Sequence, residues 1–250
     1  MRNSGDVFDC PFVSVIIPAL NEEKSIGAVL AAIQRVWPGG LVDEEIVVDN
    51  SSADRTRDVA LQHGARVVSQ PERGYGAACL AGITALRSET HIVVFLDADF
   101  SDYPEDIGLL IRPLVECGAD LALSARTLDG ASRAALTPQQ RWGNRLATTL
   151  ICWRFGFRYA DLGPFRAIRR EALERLGMRD RNYGWTVEMQ IKALQAGLRI
   201  VEVPMRYRVR IGRSEISGTL RGRSWPGRRF STRSASTPSA VPGPGSFRPS

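Results

Sequence analysis

Two aspartates, Asp97 and Asp99, are separated by one residue and follow the apolar run HIVVFL at 91–96. A run of this kind predicts a buried strand, and ligands of parallel sheets gather at the carboxyl ends of the strands. Two carboxylates beside a phosphate-bearing substrate suit Mg²⁺ or Mn²⁺, which one or two carboxylates hold together with phosphate oxygens. The spacing alone is weak evidence, because an Asp-x-Asp pair arises by chance in about every other protein of this size.

Three more acids follow the pair, at Asp102, Glu105 and Asp106. We interpret them as features of a helix start. Ser101 or Asp102 is the expected N-cap, Pro104 suits the first helical turn, and Glu105 and Asp106 complement the helix dipole. An EF-hand is excluded, because the loop lacks the glycine and the distal glutamate that such a site requires.

Polar residues follow three other predicted strands, in PALNEE at 18–23, DNSSAD at 49–54 and QPERGYG at 70–76. Asp49 could accept hydrogen bonds from a ribose or a base edge. Asn21 is explained equally well as a helix cap, with Glu22 and Glu23 complementing the dipole. RGYGAAC resembles half of a glycine-rich dinucleotide loop, but Cys79 stands where the third glycine is required, so a Rossmann cofactor site is only weakly supported.

The first half of the chain repeats a strand followed by a helix. Apolar runs alternate with segments whose apolar residues recur at helical spacing, as Ile26, Val29, Leu30 and Ile33 do. The predicted strands are residues 13–18, 44–49, 65–70, 91–97 and 119–126. This alternation predicts an α/β fold with a mainly parallel central sheet and helices on both faces.

The second half is less regular, and its elements could cover a site formed by the first half. The pattern predicts helices at 141–157 and 185–197, a strand and then a helix within 165–176, and an alternating strand at 198–210. That last strand would place Arg206, Arg208 and Arg210 on one face, where guanidinium groups could close over a diphosphate. The alternative is charge that keeps an edge strand soluble.

Composition excludes several classes of function. The net charge is +6, but residues 221–250 contain six arginines and no acid, so residues 1–220 carry 27 basic and 27 acidic side chains. A nucleic-acid-binding face is therefore not expected in the folded part. The four cysteines show no metal-ligand spacing, and no signal peptide or membrane span is evident, so we expect a cytoplasmic protein.

The C-terminal segment differs in character from the rest. Residues 221–250 are rich in Ser, Pro, Gly and Arg without a periodic apolar face, so we expect disorder. Because the chain has 31 arginines and two lysines, typical of GC-rich coding, we hypothesise that the reading frame is lost near Gly222. The expected organisation is an N-terminal extension at 1–11, a catalytic domain at 12–220 and this tail.

Four motifs in order, VSVIIPALNEE, EIVVDNSSADRT, QPERGYGAA and VVFLDADFSDYPED, resemble the inverting glycosyltransferases of family 2, which have the GT-A fold. The branch most similar is the dolichyl- and polyprenyl-phosphate sugar synthases and their bacterial relatives. The resemblance covers residues 12–220. It implies transfer of a hexose from a UDP- or GDP-sugar to a polyprenyl phosphate or another acceptor, with peripheral membrane contact at the cytosolic face.

The resemblance also implies site residues. Asp97 and Asp99 would hold Mg²⁺ or Mn²⁺ on the diphosphate, and Asp99 would thereby act in catalysis. The remaining donor-binding residues implied are Pro18, Ala19, Glu22, Asp49, Arg73, Ala98, Arg208 and Arg210. Relatives commonly read G-x-S-K where this chain has Gly212, Ser214 and Glu215, which puts phosphate closure in doubt.

The acceptor decides whether a base is needed. A lipid phosphate is already ionised, whereas a hydroxyl must lose a proton to a carboxylate. Glu188 is the candidate carboxylate by the resemblance, with a solvated first-turn glutamate as its alternative, and Asp161 is a second acid in the acceptor region. Two other functions stay open: a sugar-phosphate nucleotidyltransferase, and a catalytically silent nucleotide-sugar-binding module.

Overall fold

The computed structural model describes residues 11–36, 40–128, 132, 136 and 138–212. Seven strands form one sheet in the order β3-β2-β1-β4-β6-β5-β7. They are β1 Phe12–Ala19, β2 Glu44–Asp49, β3 Arg66–Ser69, β4 Thr90–Phe95, β5 Leu121–Ala125, β6 Arg166–Arg169 and β7 Ile200–Pro204. Only β6 runs antiparallel to its neighbours, so the predicted mainly parallel sheet is confirmed.

In the described ranges, seven α-helices cover both faces of the sheet. They are α1 Ile26–Val36, α2 Thr56–Gln62, α3 Tyr75–Thr84, α4 Ile107–Glu116, α5 Pro138–Phe155, α6 Arg170–Leu176 and α7 Trp185–Gln195. Buried residues of α1, α2 and α4 pack on one face, and those of α3, α5, α6 and α7 pack on the other. Because Val15 and Ile16 are neighbours in β1, they point to opposite faces and enter different cores. The strand is therefore buried on both faces, as its mostly apolar sequence predicts.

The strand predicted at 198–210 is wrong in its second half. Strand β7 ends at Pro204, and the next segment leaves the sheet edge to pair with the loop after β4. Tyr207 forms an isolated bridge with Asp102, and the amide of Ile211 donates to the carbonyl of Asp99 at 3.0 Å. The amides of Arg208 and Ile211 thus donate to the Asp-x-Asp loop and not to a strand.

Some expectations fall outside the described residues. These are the extension through residue 10, the tail at 221–250, and the departure at Ser214 and Glu215. Among the residues that the structure describes, no helix has both the length and the apolar composition that crossing a bilayer requires.

Candidate functional site

The paired aspartates lie just beyond the carboxyl end of β4. Tyr75 Oη donates to Asp97 Oδ1 at 3.0 Å. Asp99 is 9% exposed, and its Oδ1 accepts the amide of Ser101 at 2.9 Å. Phe100, which directly follows Asp99, adopts φ 60°, a left-handed conformation that turns the chain sharply after the pair. Ala98 is buried in the core, so only its backbone is available to a ligand.

The surroundings of Asp97 disfavour its charged form. Burial, and then the charge of Asp99, raise the pKa of Asp97 to about 7. A divalent cation would offset this repulsion. Among the described residues, no group of three or more Asp, Glu, His or Cys side chains is arranged to hold a metal by itself. Two carboxylates with further ligands from a diphosphate match the way that Mg²⁺ and Mn²⁺ are held.

Arg210 links the aspartate pair to the end of β1. Its guanidinium forms an ion pair with Glu22, and its Nη1 lies 3.4 Å from Asp99 Oδ2. Glu22 also accepts a hydrogen bond from Ser25 Oγ at 2.8 Å. Burial raises the pKa of Glu22, although Ser25 and Arg210 act against the shift. The structure therefore brings two predicted donor-binding residues, Glu22 and Arg210, next to Asp99.

The other two arginines of this segment contact other residues than Arg210 does, and the strand interpretation of all three is corrected. Arg208 stacks on the ring of Phe100, with its Cζ 3.5 Å from the ring centroid, and donates to the Phe100 carbonyl at 2.6 Å. Arg206 pairs instead with Asp106 at 2.6 Å. The residues leave strand geometry at Pro204, so the two-residue period does not apply to them.

The residues that the resemblance assigns to the nucleoside lie at the carboxyl ends of β1 and β2. Pro18 and Ala19 are paired in register with Val48 and Asp49, so these residues lie side by side. Asp49 Oδ1 accepts the amide of Ser52 at 3.2 Å. The four residues are thus adjacent at the edge where the paired aspartates also lie.

Asn50, which the sequence reasoning did not single out, fixes the loop that carries Arg73. Its Nδ2 donates to the carbonyls of Gln70 and Glu72 at 3.1 and 2.7 Å, and its Oδ1 accepts the amide of Gly74 at 2.8 Å. Arg73 in turn lies 3.4 Å from the Ser51 carbonyl. An asparagine directly after a predicted strand was the feature of the sequence that could have identified this residue.

The glycines of RGYGAAC serve close backbone contact. A Cβ on Gly74 would lie 2.1 Å from the Arg181 carbonyl oxygen, and one on Gly76 would lie 2.1 Å from that of Asp180. The amide of Gly76 donates to the carbonyl of Asn182 at 3.1 Å. The glycines therefore let residues 180–182 lie against the start of α3.

Asp161 is completely buried in an ion pair with Arg126. Its Oδ2 accepts from Arg126 Nε at 2.7 Å and from the Arg126 amide at 2.9 Å. Its Oδ1 accepts from Arg126 Nη2 at 3.0 Å and from the Leu162 amide at 2.7 Å. Both carboxylate oxygens are occupied, so the contacts of Asp161 are those of a structural residue. The predicted catalytic role stays a prediction that this geometry disfavours.

Glu188 is also held by several groups. It accepts the amides of Arg179 and Asp180 at 2.9 and 2.7 Å, and it pairs with Lys192 at 2.7 Å. Partial burial acts to raise its pKa, but the hydrogen bonds from Lys192 and the two amides lower it below the ordinary value. A lowered pKa makes a weaker base, so these contacts disfavour the predicted proton-accepting role.

Asp102 was interpreted as part of a helix start, and that interpretation is wrong. Its side chain is 1% exposed, and neither carboxylate oxygen has a hydrogen-bond partner among the described residues. The short turn Pro104–Asp106 and helix α4 begin without a side-chain cap. Burial raises the pKa of Asp102 well above its ordinary value, with Arg126 acting against the shift. Nothing in the local sequence distinguishes it from the neighbouring acids.

Comparison with known proteins places these features in a family. Residues 14–177 match the model of glycosyl transferase family 2. An uncharacterised glycosyltransferase of Mycobacterium tuberculosis is 41% identical over 215 residues, which cover 84% of this chain and 92% of the relative. A dolichyl-phosphate hexose transferase of Haloferax volcanii is 33% identical over 205 residues, with 82% and 86% covered.

A solved structure shows the same fold. Glucosyl-3-phosphoglycerate synthase from Mycobacterium tuberculosis, in complex with Mn²⁺, uridine diphosphate and phosphoglyceric acid, superposes with a TM-score of 0.67 at 29% identity. The match covers 84% of this chain and 73% of that one. Another structure of the same synthase contains Mg²⁺ and uridine diphosphate. The expected GT-A fold is confirmed.

Proposed function

Because this chain belongs to glycosyltransferase family 2, we propose that it transfers a hexose from a UDP- or GDP-sugar to the phosphate of a polyprenyl phosphate, with inversion. The observation that carries the proposal is the cluster at the carboxyl ends of β1 and β4, where Arg210 lies between Glu22 and Asp99. Carboxylates for a cation and a guanidinium for phosphate oxygens stand there together.

Asp97 and Asp99 would hold the cation on the donor diphosphate. When bound, Mg²⁺ or Mn²⁺ neutralises the negative charge that develops on the leaving nucleoside diphosphate. Burial and then the charge of Asp99 raise the pKa of Asp97, and a bound cation would act against both effects. Arg210 is close enough to exchange its carboxylate partners for phosphate oxygens, and Arg208 stacks on Phe100, the residue after Asp99.

The nucleoside would bind at the adjoining strand ends. Asp49 can accept hydrogen bonds from the ribose or base edge, and Pro18 and Ala19 border the same position. Arg73 reaches this edge from the loop that Asn50 holds. Glu22 links this end to the diphosphate end through Arg210.

We propose a phosphate acceptor because of the contacts that the two candidate bases, Asp161 and Glu188, make. Asp161 is saturated by Arg126, and Glu188 is bound by two amides and Lys192 with a lowered pKa. A hydroxyl acceptor needs a base, whereas a phosphate monoester attacks as an anion. The similarity to a dolichyl-phosphate hexose transferase supports the same acceptor class, and such an acceptor would require contact with the cytosolic face of a membrane.

Binding of the donor can be tested by thermal shift. UDP- and GDP-sugars are added with and without Mn²⁺, because a ligand of the native state raises the melting temperature. We expect a cation-dependent shift with one donor class, lost in Asp97→Asn and Asp99→Asn. Asp58→Asn changes an exposed acid in α2 and should leave the shift intact. Shifts that persist in both site variants would refute the cation site.

Transfer is then measured with the donor identified. Polyprenyl phosphate, phosphoglycerate, and free sugar phosphate with nucleoside triphosphate are compared as substrates. The proposal expects a sugar–phosphate lipid product, with little or no product from the other two. Transfer to phosphoglycerate alone would replace the acceptor, and formation of a nucleotide sugar would identify a nucleotidyltransferase. Donor binding without any turnover would favour the catalytically silent nucleotide-sugar-binding module.

A further inference from the structure

Helix α5 carries an apolar stripe that faces solvent. Its members recur at intervals of four, four and three residues, so they lie on one side of the helix. They are Trp142, Leu146, Leu150 and Trp153, with exposed fractions of 71, 45, 55 and 85%. Ile151 on the opposite side is buried and packs in the core with Trp185. The helix is thus anchored through one face and leaves an apolar face uncovered by the described residues.

Positive charge borders the stripe on both sides. At 100° per residue, Arg141 and Arg145 lie on one flank of the stripe and Arg154 on the other. All three are exposed, and residues 138–155 contain no aspartate or glutamate. A solvated helix of a neutral domain ordinarily mixes both signs of charge, so this one-sided composition requires an explanation.

We propose that the stripe and its arginines dock α5 in the plane of an anionic lipid bilayer. An apolar face flanked by arginines, with tryptophan at each end, is the arrangement of interfacial helices. The tryptophan rings would enter the boundary between headgroups and acyl chains. Arg141, Arg145 and Arg154 would contact the phosphate groups of anionic lipids.

The positive charge of α5 favours an anionic lipid surface, and not a second copy of this chain, as the partner of the stripe. A two-fold pairing of α5 with itself places identical surfaces in contact. Each stripe would then bring its flanking arginines near those of the other copy, with no acid of either helix to pair with them. An anionic lipid surface supplies the missing negative charge along the whole helix.

This inference deepens the proposed function, whose lipid acceptor already requires membrane contact, by naming the surface that makes this contact. It concerns a surface outside the sugar-nucleotide site, and neither donor nor acceptor is needed to test it. Failure of lipid docking would leave donor binding and transfer to a dispersed acceptor unaffected, and failure of the transfer assay would leave vesicle binding unaffected.

Vesicle flotation of the full chain tests the docking. Vesicles of phosphatidylcholine alone are compared with vesicles that also contain phosphatidylglycerol. We expect binding to the anionic vesicles, weakened about tenfold or more in Trp142→Ala/Trp153→Ala. Arg141→Gln/Arg145→Gln/Arg154→Gln should reduce binding to anionic vesicles and weaken its salt dependence relative to the wild type. Leu109→Ala/Val115→Ala, which alters two exposed apolar residues of α4, should bind like the wild type.

The arginines at 221–250 are identical in all variants, so they produce no difference between them. Equal vesicle binding by wild type and the tryptophan variant would overturn the proposal, as would no binding by the wild type. Light scattering is run in parallel without lipid. A dimer that the tryptophan substitutions dissociate would assign the stripe to contact between copies and would also overturn it.

Discussion

Arg126 and Asp161 form a two-point ion pair inside the protein, with Nε–Oδ2 at 2.7 Å and Nη2–Oδ1 at 3.0 Å. The side chain of Asp161 is 0% exposed and that of Arg126 is 10% exposed. The pair joins the end of β5 to the segment before β6, close to Asp102 and the paired aspartates. It therefore supports the wall of the candidate site without offering a free oxygen to a substrate.

Asp161→Asn should unfold the protein more easily. The change leaves the Arg126 charge buried without its partner, and losses of this kind cost about 3–5 kcal/mol. Urea denaturation measures the free energy of unfolding. Glu116→Gln is the control, because it breaks the exposed pair with Arg112 and should cost below about 1 kcal/mol. Normal stability of Asp161→Asn with abolished transfer would show that Asp161 is a catalytic residue instead.

Glu188→Gln tests whether Glu188 stabilises the fold or acts as a base in catalysis. The amide side chain keeps the shape but loses the charge that Lys192 and two backbone amides contact. We expect a loss of about 1–3 kcal/mol in stability and a transfer rate within about tenfold of wild type, because loss of a general base costs about 10²–10⁴ in rate. Glu174→Gln, in another i,i+4 pair, is the control. A rate loss beyond a hundredfold at unchanged stability would contradict this prediction.

Asp102→Asn should change how stability depends on pH. Burial raises the folded pKa of Asp102 above the unfolded value of about 3.9, so the folded state keeps a proton that the unfolded state releases. The stability contribution is present below the unfolded pKa and is lost as the pH rises toward the folded pKa, by up to about 1.4 kcal/mol per unit. The neutral asparagine removes this slope.

The measurement is urea unfolding between about pH 5 and about pH 8 with a chelator present. Relative to wild type, Asp102→Asn should gain stability as the pH rises. Parallel curves for the two proteins would show that Asp102 is ionised in the folded state.

Gly76→Ala should destabilise the contact between α3 and residues 180–182. The added Cβ would lie 2.1 Å from the Asp180 carbonyl oxygen, and backbone on both sides must move. We expect a loss of about 2 kcal/mol or more in the free energy of unfolding. Gly143→Ala is the matched control at an exposed position of α5, where the new Cβ would meet no atom from outside its own helix backbone within 4 Å. It should stabilise by about 0.5–1 kcal/mol, and an equal loss at both glycines would contradict the argument.

Much of the fold could be predicted from local patterns. Strand β2 spans Glu44–Asp49 as predicted, and α1 begins at Ile26, the first residue of its apolar series. The strand-end location of Asp49 and of the aspartate pair was predicted for the same reason. A strand alternates every two residues and a helix every 3.6, so the apolar spacing within one segment determines which element it forms.

The sequence by itself determined the α/β alternation and the acids at the strand ends, because each depends on neighbours in the chain. Only the tertiary structure decided that Arg210 lies between Glu22 and Asp99 and that Arg126 pairs with Asp161. It also decided that the Asp102 carboxylate is buried with no hydrogen-bond partner in the part of the chain that the structure describes. These contacts join residues far apart in the chain, and burial acts on a charge only after the chain has folded around it. The spacing of residues in the sequence therefore predicts neither the long-range contacts nor the effect of burial.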